Sequence, residues 1–356
     1  MSAKKILVTG ISGNLGSRVR LQLSAFDVVG VDLHPPVSTQ GLARFESLDL
    51  GEESSCDHLI ALMREEEVAA VVHLAFVIDP LQTGVLDEKR MWQINVAGTA
   101  RVLEAIAERN RHGGAIEKFI FISSVSAYGP ETPGPVDEDF PLSAYTLPYA
   151  VHKKESDTVV RSRARQLGEC ATFILRPHIF AGATMQNYLI GALRGTPTGK
   201  GKFAQRLRDQ GKRLPIVVPF GKKYLENEFQ FVHVDDVARL IAFILAQAAA
   251  EKLTILNVAG RSESLPFGEC AALAQAEIVR LPGRIACRGV LALIWKLGIS
   301  GVPPASLPYI LGSYTMKTNR LQRFLGSEYE RVIRFTIRDS LLDSFAAPSQ
   351  KSAAAV

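Results

Sequence analysis

The chain has 356 residues, long enough to bury a good core as one large domain or as a main domain with a smaller cap. Hydrophobic residues make up 47% and charged ones 22%, which excludes general disorder, and the formal charge of +5 is only mildly basic. No apolar run reaches the roughly 18 residues needed to span a bilayer, and the start of the chain carries no signal-peptide hydrophobic region. Cys56, Cys170, Cys270 and Cys287 are scattered without a C-x-x-C pair, so a reduced, cytoplasmic protein with no structural zinc is expected.

In chain order, KKILVTG (4–10) reads as a short apolar strand ending in glycine, followed by a helix from Leu15 to about Ala25. DVVGVDL (27–33) and RFESLDL (44–50) are the next strands, and a helix from about Ser54 to Glu66 leads to AAVVHLAF (69–76). A long helix over 88–111 precedes the strand KFIFISS (118–124), a helix containing Tyr149, and the strand ATFILRP (171–177). Fully apolar strands separated by helices predict a parallel sheet covered on both faces, an α/β doubly wound (Rossmann) fold whose ligands sit at the carboxyl ends of the strands. Residues 1–180 are expected to form the dinucleotide-binding domain and 181–345 a smaller C-terminal substrate-binding domain. Segments within 230–260 return to the main body, and 346–356 is a disordered tail.

The chemistry-bearing residues fall at those strand ends. VTGISGNLGS places Gly10, Gly13 and Gly16 directly after a strand and at the opening of a helix. There they serve a tight turn, close approach to a pyrophosphate, and helix packing, while the helix start attracts an anion. Asp32 ends the second strand, where a carboxylate accepts ribose hydroxyls and repels the extra phosphate of NADP, so NAD is the expected cofactor. Asp49 and Leu50 end the third strand as candidates to flank an adenine.

Tyr149 and Lys153 stand one helical turn apart on one face. Holding a phenol as phenolate at pH 7 costs about 4 kcal/mol, and a nearby cation recovers part of that. Tyr149 is therefore the expected proton donor or acceptor at a hydroxyl, with Ser124 holding the same substrate oxygen. Lys154 is turned off that face, and His152 packs locally or faces solvent. Asp235 or Asp236 reads as the cap of the following helix, with His233 a strand residue, in preference to a metal site. Tyr128 either lines the pocket or packs under its loop, and His73 is a packed histidine.

Together, TGISGNLG, Asp32, DL (49–50), HLA (73–75), NVAGT (95–99), ISSVSAYG (122–129), Tyr149 with Lys153, LRP (175–177) and FVHVDDVA (231–238) resemble the extended short-chain dehydrogenase/reductase family, in its NAD-dependent epimerase/dehydratase branch. The resemblance runs over about 4–260 in motif order. It implies that Ser124, Tyr149 and Lys153 are catalytic. It also implies that Gly10, Ser12, Gly13, Asn14, Leu15, Gly16, Asp32, Asp49, Leu50, Leu74, Ala75, Asn95, Tyr149, Lys153 and Pro177 bind NAD. A homodimer through the helices at 88–111 and 149–167 is implied in the same way.

The chain departs from the nucleotide-sugar epimerases at two places. His178 and Ile179 stand where those enzymes carry an asparagine, and Glu228 and Gln230 stand near their diphosphate arginine. With the apolar 285–314 stretch, this favours NAD-dependent hydride transfer at a secondary alcohol or ketone of a fairly hydrophobic small molecule. A nucleotide-sugar epimerase with retained NAD is the alternative, and the intact Ser124, Tyr149 and Lys153 set disfavours a non-catalytic NAD sensor. The segment from Arg194 to Lys223 holds nine cations against Asp209 alone. It reads as a solvated, mobile loop, with an anionic group or lipid surface as the sharper reading and nucleic acid excluded because no aromatics interleave the charge.

Overall fold

The structure, a computed structural model, describes residues 3–78 and 87–346; apart from residue 346, the expected tail lies outside them. Strands β1 (Lys5–Thr9), β2 (Asp27–Asp32), β3 (Arg44–Ser47), β4 (Ala70–His73), β5 (Lys118–Ile122) and β6 (Ala171–Pro177) belong to one sheet. The next four, β7 (Ile179–Ala181), β8 (Ile216–Pro219), β9 (Glu228–Phe229) and β10 (Phe231–His233), lie outside it, and β11 (Leu253–Val258) returns to its edge. Among the described residues the sheet has seven strands in the order β11-β6-β5-β4-β1-β2-β3, every neighbouring pair parallel. Three ribbons complete the strand pairing: β10 with β7, β9 with β12 (Leu265–Pro266), and β8 with β13 (Ile278–Leu281).

Helices α1 (Asn14–Gln22), α2 (Ser55–Glu65), α3 (Glu88–Trp92), α4 (Gly98–Arg111) and α5 (Pro148–Arg163) connect the first strands. Further along come α6 (Tyr188–Arg194), α7 (Lys202–Asp209), α8 (Lys223–Glu226), α9 (Val234–Ala246) and α10 (Phe267–Leu273). The last are α11 (Gly283–Lys296), α12 (Leu307–Leu311), α13 (Asn319–Leu325), α14 (Tyr329–Val332) and α15 (Ile337–Asp343). The pleat explains the apolar strand runs. Ile6, Val8, Ile120 and Leu175 point to one face with Val19 of α1 and Ile241 of α9. Leu7, Val71, Phe119 and Ile174 point to the other with Leu59 of α2 and Ile106 of α4. A further core gathers residues of α6, α10, α11 and α12 around Tyr128 and Leu147. Among the described residues, no helix is long and apolar enough to cross a membrane.

Three local expectations change. The helix over 88–111 is broken by a π-helical turn at Gln93–Ala97, because the Asn95 carbonyl is drawn to the hydroxyls of Thr99 (2.6 Å) and Ser156 (3.1 Å). Much of 194–223 is ordered as α7 and β8. Three of its four arginines are spent on carbonyls: Arg213 donates to Arg194 (2.8 Å) and Ala274 (2.9 Å), Arg208 to Pro197 (2.6 Å), and Arg194 to Ser344 (2.9 Å). The cap of α9 is His233, whose Nδ1 accepts from the Asp235 amide at 3.2 Å. Asp235 instead pairs with Arg18 on α1, and Asp236 accepts the Arg334 and Phe335 amides at 3.1 Å each.

Candidate active site

The turn after β1 is closed by contacts that only glycine permits. Gly10 has φ +73°, and a Cβ there would lie 2.5 Å from the Ala75 nitrogen; one on Gly16 would lie 2.3 Å from the Gly10 carbonyl oxygen. Gly13 is different, since its Cβ would meet only the Gly10 oxygen, at 3.3 Å, and the residue is exposed. Gly13 is also the N-cap of α1, which has neither a side-chain cap nor an acid in its first turn. Amides left to an incoming anion above an open glycine fit the pyrophosphate of a dinucleotide.

Around this turn Asp32 accepts the amides of Ser12 (2.9 Å) and Leu33 (2.7 Å), and Ser12 Oγ donates to the His34 carbonyl (2.6 Å). Asn14 donates to the carbonyl and hydroxyl of Thr184, both at 3.1 Å, and Leu15 is half-buried against the core. Leu74 and Ala75 hang from Thr9, through its carbonyl (3.0 Å) and hydroxyl (3.3 Å). The remaining expected cofactor residues lie differently. The Asp49 carboxylate takes the Gly51 amide (2.8 Å) and pairs with Arg90, and Leu50 is buried in the core. Asn95 is fully buried and spends its side chain on the backbone of Val77, accepting at 2.7 Å and donating at 3.0 Å. Its geometry is that of a brace for the loop after β4.

The structure brings Ser124, Tyr149 and Lys153 together at the carboxyl end of β5. The chain enters α5 through a γ-turn: Thr146 has φ +68°, the Leu147 amide donates to the Tyr145 carbonyl at 2.9 Å, and Pro148 opens the helix. Tyr149 then shares a cavity wall with Ser124, whose Oγ accepts from the amide (3.1 Å) and hydroxyl (2.9 Å) of Ser126. Lys153 Nζ donates to the Ile122 carbonyl at 2.7 Å and sits 3.4 Å from the centre of the Phe76 ring, itself edge-on to Tyr149.

Burial pushes the Tyr149 phenol above its ordinary value, with the Ser124 side chain opposing, and burial pulls the Lys153 amine well below its own, with Asp157 opposing. This departs from the expectation of a cation-stabilised phenolate. Both groups are desolvated, and the amine, 5.8 Å from the Tyr149 ring centre, is engaged by Ile122 and Phe76.

Tyr149 and Ser124 open into a cavity of about 160 Å³ walled by Leu147, Pro177, Phe180, Tyr188, Tyr309 and Tyr314, with no Lys, Arg, Asp or Glu among its described lining. His178, stacked 5.5 Å from Tyr314, is held low at about 4 by burial. Glu228 faces out to Ser264, and Gln230 is tied to the Met316 backbone. Tyr128 packs under the loop: its hydroxyl donates to Asn257 (2.7 Å) and accepts from Arg176 (2.8 Å). Arg176 forks onto Asp157 with two 2.9 Å bonds, both side chains at 0% exposure. Asp157 follows Tyr149 and Lys153 on the same face of α5, so this pair fastens the helix to β6. Phe76, Ser126, Asp157, Arg176 and Tyr188 carried no site assignment in the sequence, although the position of Asp157 one turn after Lys153 was a usable signal, while Tyr309 and Tyr314 belong to the apolar 285–314 stretch.

A doubly wound sheet with this glycine turn and acidic strand end defines a dinucleotide-binding enzyme fold. Residues 6–259 match the NAD dependent epimerase/dehydratase family; the chain belongs to that family, and its cofactor is NAD. It is 28% identical over 257 residues to a UDP-glucose 4-epimerase of Cyamopsis tetragonoloba, covering 67% of this chain and 70% of that one. It is 30% identical over 249 residues to the UDP-glucose 4-epimerase of Bacillus subtilis, covering 65% and 70%. In fold it is similar to the dTDP-glucose 4,6-dehydratase DesIV of Streptomyces venezuelae, solved with NAD bound, with a TM-score of 0.66 and 22% identity over 96% of this chain and 95% of that one.

Proposed function

We propose that the protein catalyses an epimerase- or dehydratase-type reaction on a nucleotide sugar with retained NAD, and that Tyr149 exchanges the proton of the reacting sugar hydroxyl. The observation that carries this is that Tyr149 and Ser124 line one cavity, with Lys153 one helical turn behind Tyr149, in a chain whose relatives include UDP-glucose 4-epimerases. The amides at the start of α1 hold the pyrophosphate, Asp32 the adenosine ribose, and Lys153 the nicotinamide side of the site. Bound NAD supplies a hydride acceptor and donor. Ser124 Oγ orients the substrate oxygen, and Tyr149 Oη takes or returns its proton.

In this reading residues 1–180 bind NAD and 181–345 supply the substrate side, the two meeting where Tyr149 faces Tyr188, Tyr309 and Tyr314. A homodimer through 88–111 and 149–167 belongs to the same reading, with Trp92 44% exposed there. The uncharged, aromatic cavity supports a second reading, oxidation or reduction of an apolar secondary alcohol or ketone. The two separate on incubation with UDP-glucose or UDP-galactose. Interconversion without net NADH is expected. Sugar nucleotides left untouched while apolar alcohols yield NADH would favour the second reading. In either case Tyr149→Phe should lose about 10²–10⁴-fold in turnover, and a fully active variant would sink both.

A further inference from the structure

Helix α11 has two unlike faces. Inward, Cys287, Leu291 and Ile294 pack into the core around α12. Outward, Ile285 is 89% exposed and Leu293, Trp295 and Leu297 about half, a costly display for a helix facing only water. Neighbouring elements extend the display. The Gly201 amide donates to the Gly298 carbonyl at 3.0 Å, setting the start of α7, with exposed Phe203, beside the end of α11. The Phe220 amide donates to the Leu281 carbonyl at 2.9 Å, setting exposed Phe220 beside its beginning.

The charge around these six apolar residues is predominantly positive. Lys200 and Lys202 precede or open α7, Lys222 and Lys223 follow Phe220, and Arg288 and Lys296 lie on α11, all exposed. Residues 283–296 contain no acid. The nearby acids are engaged or sparse: Glu131 accepts from Arg284 at 2.7 Å, Asp209 accepts from Gln205 at 2.7 Å, and Glu226 closes α8. Exposed aromatic and aliphatic side chains ringed by lysine and arginine match a bilayer interface, where the apolar groups enter the headgroup boundary and the cations meet anionic lipid.

We infer that the face made by α11, the start of α7 and the Phe220–Lys223 segment docks the protein onto an anionic membrane surface. The inner side of α11 gives the docking a consequence. Leu291 and Ile294 wall a second cavity of about 70 Å³, and Ile310 lines both that cavity and the one at Tyr149. The docked face thus lies about one helix diameter, ~10 Å, from apolar space that borders the candidate site.

The test is sedimentation of the full chain with phosphatidylcholine vesicles, with and without phosphatidylglycerol. Binding to the anionic vesicles, released by high salt, is expected. Lys222→Ala and Lys223→Ala should each weaken it by about fivefold. Ile285→Asp and Trp295→Asp should each weaken it at least about tenfold, with NAD binding and circular dichroism unchanged as controls on folding. The inference is overturned if the wild type ignores anionic vesicles or if all four variants bind like it. It is also overturned if the apolar variants abolish only a concentration-dependent dimer, which would make this face a contact between two copies.

Discussion

Replacing Asp157 with asparagine removes the carboxylate that Arg176 grips through two 2.9 Å bonds in a fully buried setting. The guanidinium keeps the Tyr128 hydroxyl at 2.8 Å and the Glu138 carbonyl at 2.7 Å, but no charge faces it. Orphaning one member of such a pair costs about 3–5 kcal/mol, a large share of the 5–15 kcal/mol typical of a folded protein. We therefore expect a loss of about 3 kcal/mol in urea unfolding followed by circular dichroism. Removing both charges with Asp157→Leu and Arg176→Met should recover most of it, leaving about 1–2 kcal/mol for the unpartnered Tyr128 and Glu138 groups. A single variant that loses under about 1 kcal/mol, or a double variant that loses the sum of the two singles, would refute the argument that the pair, and not packing alone, fastens α5.

Other consequences are equally open to measurement. Gly16→Ala should cost at least about 2 kcal/mol, because its Cβ would meet backbone at 2.3 Å, while Gly13→Ala should keep the melting temperature and lose NAD affinity. Equal effects on both properties in the two variants would contradict this division. Burial holds His73 at about 3 and His178 at about 4, so the unfolded chain binds more protons between pH 6.5 and these values. Their contribution is complete above pH 6.5 and is lost on acidification, on the order of 3 kcal/mol each by pH 4. A His73→Gln, His178→Gln variant whose acid-side stability slope equals that of the wild type would exclude these groups as the cause. Lys153→Met should leave thermal stability equal or higher, since the ammonium is desolvated, while turnover falls at least about 100-fold. A marked drop in melting temperature would point to a structural lysine.

What local chemistry dictates was readable from the chain alone. The strands of the sheet were legible because their apolar runs must be covered on two faces, and ATFILRP was placed with the bounds observed for β6. The glycine turn was legible because positive φ and backbone contact admit one residue type, and Tyr149 with Lys153 because helical spacing sets them on one face. Groups whose meaning depends on distant partners were not legible. The bonds of the Asn95 side chain exist only because folding brought the Val77 backbone to it, and the cap of α9 passed from aspartate to His233 because Arg18 and the 334–335 amides claimed the acids. The relation of Tyr149 to Lys153 also changed sign of emphasis. Spacing alone suggests a cation lowering a phenol, but packing desolvates both and turns the amine onto Phe76 and Ile122. Hydrogen-bond partners and desolvation are set by residues far apart in sequence, so they exist only once the chain has closed around them.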